Sequence, residues 1–225
     1  MNQISDRLRG LVQSDIRRMS RECERVGGIN LGQGICDLPS IPELVDGACD
    51  AIRSSKSTYS KFEGIDLLRE RIAKKIETFN GFRVDPATEI VVTVGSTGGF
   101  AAAAMATLNA GDEVILFEPY YGYHLNTLKV LGIETKFVPL QLPDWSIDFD
   151  ALRAAFGPKT RGIVVCTPSN PCSQSPRTPK TITSKTNWHT IKSIAKKIMP
   201  SLSSHDVLRN STVTIKVPSA TTGAK

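Results

Sequence analysis

Val114-Ile-Leu-Phe117 stands between Gly111-Asp-Glu113 and Glu118-Pro-Tyr-Tyr-Gly-Tyr123. An unbroken apolar run this short, with turn-forming and charged residues at both ends, suits a strand buried on both faces. The same rhythm extends outward. Upstream, Glu89–Val94 reads as a strand and Gly98–Leu108 as an alanine-rich helix, with Gly111 as its left-handed stop. Downstream, Tyr121–Leu131 reads as a helix ending at Gly132, and Ile133–Val138 as a strand. Asp148 caps a helix through Phe156, stopped by Gly157, and Arg161–Cys166 is a last strand. Strands alternating with helices predict a three-layer α/β/α fold around a mainly parallel sheet.

Before residue 89 the pattern is helical. Ile4, Leu8, Leu11, Ile16 and Met19 fall near helical spacing, and Gly27-Gly28 ends that run. A Gly/Pro segment follows, Leu31-Gly-Gln-Gly-Ile-Cys-Asp-Leu-Pro39. Pro42 opens a second helix with Leu44, Val45, Ala48, Ala51 and Ile52 on one face. A third follows Gly64, with Ile65, Leu68, Ile72, Ile76 and Phe79.

Composition narrows the class. No apolar run approaches the roughly 20 residues of a spanning helix, so no membrane segment is expected. The acidic residues among the first basics argue against a secretory or transit leader. The five cysteines form no CxxC pair. That weighs against a disulfide framework or a metal site and predicts a reducing, cytoplasmic location. The net charge of +6 is uneven: 19 Lys+Arg stand against 21 Asp+Glu up to Cys172, and 9 against 1 beyond it. Past Cys172 there are nine Ser and nine Thr in 53 residues, and only Lys192–Met199 hints at a helix. Such a segment buries little apolar surface and is expected to be poorly ordered. With one Trp and no interleaved aromatics, it carries no nucleic-acid module.

Three turns carry candidate chemistry, each with a plainer reading beside it. Val94-Gly-Ser-Thr-Gly-Gly99 leads from a strand into a helix, where amides and hydroxyls suit a phosphate; it also suits a tightly packed turn. Glu118-Pro-Tyr-Tyr-Gly-Tyr123 lies just past a strand's carboxyl end, where aromatics stack on flat rings or simply cover a helix start. In Thr167-Pro-Ser-Asn-Pro171, Asn170 either donates to a ligand or holds a turn.

Taken in order, these segments resemble class I and II pyridoxal-phosphate-dependent aminotransferases. Leu31-Gly-Gln-Gly-Ile-Cys-Asp-Leu-Pro39 resembles their substrate-side glycine segment. Tyr59-Ser-Lys-Phe-Glu-Gly64 with Leu68-Arg69 is similar to their tyrosine–glycine–leucine–arginine signature. Gly95-Ser-Thr-Gly98 resembles the phosphate turn, Glu118-Pro-Tyr-Tyr121 the ring-stacking segment, and Thr167-Pro-Ser-Asn-Pro171 the asparagine–proline motif. The likeness spans about residues 28–172 and is strongest to the branch that includes kynurenine and methionine aminotransferases.

The resemblance implies the fold type I large domain, here incomplete, with pyridoxal 5'-phosphate as cofactor and an amino acid and a 2-oxo acid as substrates. It implies a homodimer. Ser96 and Thr97 would hold the phosphate, Tyr121 would stack on the pyridine ring, and Asn170 would bond its phenolic oxygen. Tyr59 would reach the phosphate of the partner subunit. Gly34, lacking a Cβ, would admit the substrate carboxylate. Residues 1–42 would form the N-terminal arm and part of the small domain, 43–172 part of the cofactor domain, and 173–225 a divergent tail.

The Schiff-base lysine, the aspartate for the pyridine nitrogen and the arginine for the substrate carboxylate lie beyond the asparagine–proline motif in that family. None has a counterpart in a matching motif here. Asp206, His189, His205 and Lys225 lack the required context. Two expectations follow: transamination as the family's reaction, or a non-catalytic remnant that binds cofactor weakly or pairs with an intact paralogue.

Overall fold

A computed structural model of the chain describes residues 5–11, 15–34, 38–56, 58–166, 169–172 and 213–214. In it Val114–Phe117 is the centre of strand β1 (Glu113–Glu118), and all of these apolar residues are buried. Strand β1 pairs in parallel with β2 (Glu134–Gln141) on one side and β4 (Thr160–Cys166) on the other. Two short antiparallel partners complete the sheet. Strand β3 (Ser146–Ile147) pairs with the end of β2, and β5 (Val213–Thr214) pairs with the end of β4. The order is β3-β2-β1-β4-β5.

Alternation along β1 builds two cores. Val114 and Leu116 meet Phe100 and Ala104 of helix α4 (Gly95–Thr107) and Leu128 of α5 (Gly122–Val130). Ile115 and Phe117 face the other way, toward Leu152 of α6 (Phe149–Ala154). This is the three-layer arrangement that the strand–helix rhythm predicts. Burying a leucine such as Leu128 completely contributes about 1.5–3 kcal/mol. The connections are punctuated as the sequence reads. The Asp148 carboxylate accepts from the Asp150 and Ala151 N–H groups at 2.9 and 3.0 Å, capping α6. Gly132, at φ +73°, takes the left-handed turn between α5 and β2, a region costly for residues with a Cβ.

The chain divides into two compact units, one of Gln13–Ser96 and one of Met1–Val12 with Thr97–Lys225. The first unit holds helices α1 (Asp15–Arg25), α2 (Pro42–Arg53) and α3 (Asp66–Lys75). Its tyrosine–glycine–leucine–arginine signature has a structural basis. Gly64 sits at φ +104°, and a Cβ there would lie 2.5 Å from the Val92 Cγ2. Arg69 is buried, and its Nε donates to the Pro86 carbonyl at 2.7 Å. The pair Lys61–Asp66, at 2.6 Å, closes the same corner from the surface. The Arg83 guanidinium and its hydrogen bond hold the Glu77 carboxyl below its ordinary range.

Several expectations need correction. Glu89–Val94 forms no strand; its cross-link is a hydrogen bond from the Val92 N–H to the Glu63 carbonyl at 2.9 Å. A strand is defined by a paired neighbour, and the described strands pair among themselves. Val91 and Val94 stay exposed. The first helix does not run continuously. Asp6–Leu8 is a single tight turn capped by Ser5, Gly10 follows at φ +77°, and α1 starts only at Asp15. Helix α4 begins at Gly95 rather than Gly98, so Ser96 and Thr97 lie inside its first turn. Strand β3 was not expected; it is too short for an alternation signal. Ile4, Cys36, Thr167, the Lys192–Met199 helix, Asp206, His189, His205, Lys225 and, apart from Val213–Thr214, the segment past Cys172 expected to be poorly ordered fall outside the described residues.

Candidate functional site

A parallel sheet places the turns that follow its strands along one edge, and ligands gather there. In this chain the turns after β1 and β4, which are neighbours, open onto a common cleft. Pro119, Tyr120 and Tyr121 come from the first, and Ser169 and Asn170 from the second. Its floor includes Leu116, Phe117 and Val164, which is why the cleft is apolar below and polar at the rim. It has about 340 Å³ of free space, part of it open to solvent. The Glu118–Pro119 and Asn170–Pro171 peptide bonds at its two rims are both cis.

Tyr121 is the N-cap residue of α5, with φ −75° and ψ +115°, and its carbonyl accepts from the His124 N–H at 2.9 Å. Its ring is half-buried. It meets Tyr123 at 5.2 Å and His124 edge-on, at 5.2 Å and 80°. His124 is itself buried and lies 4.5 Å from the Phe100 ring of α4. Burial lowers its pKa from 6.5 to about 4, so the imidazole is neutral at physiological pH. His124 lines the cleft, and none of the motif readings includes it. Its signal was its spacing: three positions after Tyr121 on a helix start, it must share that residue's face.

The remaining expected residues divide between the units. Tyr121 and Asn170 line the cleft together, and Asn170 is exposed. Thr97 belongs to the same unit, one turn before Phe100 on α4, and is exposed. Ser96, Gly34 and Tyr59 belong to the other unit. Ser96 is exposed in the first turn of α4. Gly34 has open space where a Cβ would stand. Tyr59 is fully exposed, at 102%. The first turn of α4 contains no acidic residue, so the positive end of that helix is not offset there. Among the described residues, no charged side chain and so no lysine lines the cleft. Among the described residues no group of acidic, histidine and cysteine side chains could hold a metal, and no helix is long and apolar enough to cross a membrane.

Comparison with known proteins accords with this arrangement. The family model for aminotransferase class I and II matches residues 26–193. The chain belongs to that family. Its match runs past Cys172, where the recognisable motifs end. A probable N-succinyldiaminopimelate aminotransferase from Mycobacterium tuberculosis is 37% identical over 168 residues, covering 73% of this chain and 42% of the relative. The methionine aminotransferase of Escherichia coli is 32% identical over 154 residues, covering 68% and 40%. Human kynurenine–oxoglutarate transaminase 3 is 31% identical over 155 residues. The first of these three exceeds the two from the branch that the motifs suggested. The solved structure of the M. tuberculosis N-succinyldiaminopimelate aminotransferase superposes with a TM-score of 0.77 at 33% identity, over 87% of this chain and 50% of that one. The fold is therefore the type I fold of these enzymes, in part. The chain spans about a third to half the length of these relatives.

Proposed function

We propose that this chain forms the cofactor-gripping portion of a pyridoxal-phosphate-dependent aminotransferase, which exchanges an amino group between an amino acid and a 2-oxo acid. One observation carries the reading. In a member of the aminotransferase family, Tyr121 and Asn170 line a single cleft at the carboxyl ends of adjacent parallel strands.

The residues present fit the ring and phosphate ends of the cofactor. An aromatic face and an amide flank an open cleft, and among the described residues no lining carboxylate repels a phosphate. Tyr121 would lie against the face of the pyridine ring. The Asn170 amide would donate to its phenolic oxygen. Ser96 and Thr97, with the first-turn N–H groups of α4, would hold the phosphate. Gly34 would leave room for the substrate carboxylate. Tyr59, whose side chain is fully exposed, would reach the phosphate site of a second subunit in a homodimer. When bound, pyridoxal phosphate supplies an electron sink for the charge left at the substrate α-carbon. The division at residues 42 and 172 and a cytoplasmic location belong to the same reading.

Titration of the full-length chain with pyridoxal phosphate, followed by visible absorbance, tests it. Saturable binding should weaken about tenfold in Tyr121→Ala. Binding indifferent to Tyr121 and Asn170 would reject the site. That no lysine stands among the described lining residues favours a second reading, a chain that binds without turnover and pairs with an intact paralogue. Borohydride reduction separates the two. A single reduced lysine adduct supports turnover, and saturable binding without an adduct supports the silent partner.

A further inference from the structure

We propose that His124 is a positioning residue: it fixes the plane of the Tyr121 ring and sets that ring's place relative to Thr97 on α4. The proposal rests on the cofactor reading above for its functional meaning but not for its geometry. The Tyr121 backbone is held as the N-cap of α5, while its side chain keeps rotational freedom about χ1 and χ2. Among the described residues, two aromatic rings meet it, those of Tyr123 and His124. The contact with Tyr123, at 42°, is tilted, and Tyr123 is itself only half-buried. The contact with His124, at 80°, is edge-to-face, a preferred geometry for paired rings.

His124 can impose a direction because it does not move freely itself. It is 6% exposed and leans on Phe100 at 4.5 Å. Phe100 is 4% exposed and sits on α4, one turn after Thr97, on the same helix face. The three rings form a relay from the helix start that carries Thr97, through Phe100 and His124, to Tyr121. A ligand with an anionic end at the helix start and a flat ring over Tyr121 needs those two supports at a fixed spacing, and His124 is the spacer. Because burial keeps the imidazole neutral, the spacer brings no charge to the cleft at physiological pH.

The test uses the full-length chain with isotope-labelled tyrosine. The Tyr121 ring resonance is assigned by its loss in Tyr121→Phe. In His124→Leu, which removes the ring edge, that resonance should shift and broaden without ligand, and pyridoxal phosphate should bind about three- to tenfold more weakly. His124→Phe restores an edge and should restore both. If His124→Leu does not fold, Phe100→Leu reads the same relay from its other end and should move the Tyr121 resonance likewise. A Tyr121 resonance unchanged in every folded variant overturns the proposal. If the native chain binds no pyridoxal phosphate but the resonance shifts as expected, the cofactor reading fails and the positioning role stands.

Discussion

The two units solve the burial problem differently. Between Phe100 and Val165 the chain closes two cores around one sheet, and Ala104, Ile115, Leu128 and Leu152 have no exposed surface. In Gln13–Ser96, Ile90 and Arg69 are buried, while Leu31, Phe62, Phe79 and Val94 are 79% exposed or more. The difference is one of geometry. A sheet strand has two faces and neighbours supplied by its own unit, whereas an amphipathic helix needs a surface from elsewhere. Apolar spacing along α2 records a face to be covered, not a cover.

The largest effect expected from this contrast is in core truncation. Leu128→Ala should cost about 2–5 kcal/mol in a denaturant titration, because the rigid sheet cannot collapse into the gap. Leu44→Ala, at a site 67% exposed, should stay within about 0.5 kcal/mol. Equal costs would break the contrast. Next comes acid. His124 takes up a proton at about 6.5 when unfolded and only at about 4 when folded. The folded state's advantage is therefore complete above the first value and is lost as pH falls toward the second, about 3 kcal/mol in all. Over that interval the urea midpoint of the native chain should fall relative to that of His124→Phe. The smallest effect is local. Gly64→Ala forces a Cβ into Val92 at a left-handed φ and should cost about 1–3 kcal/mol. Hydrogen exchange should report it as faster exchange at the Val92 amide, with the β1 amides unchanged.

How legible each region was follows the same division. The sheet could be read because runs such as Val114–Phe117 state their own burial. Glu89–Val94 is also rich in β-branched residues and misled, because nothing in a strand-like run says whether a partner lies beside it. Tyr121 and Asn170 could be placed from their positions after strands, a consequence of parallel topology alone. His124 could be placed beside Tyr121 from its spacing of three, but its weight in the site could not be read, because that comes from Phe100 on another element. Arg69 could be read as part of a motif, but its hold on the Pro86 carbonyl is a fact of three dimensions.

The hairpin at Leu140–Gln141 has one more consequence. Strand β3 covers β2 only at its last two residues, Leu140 and Gln141. The rest of that border offers Glu134 and Lys136, which carry charge, and Pro139, which has no amide hydrogen to give. A stray strand from another molecule would find poor footing there, so this border guards against fibril-like stacking. Enlargement of the sheet is thereby steered to its opposite border, beside β4.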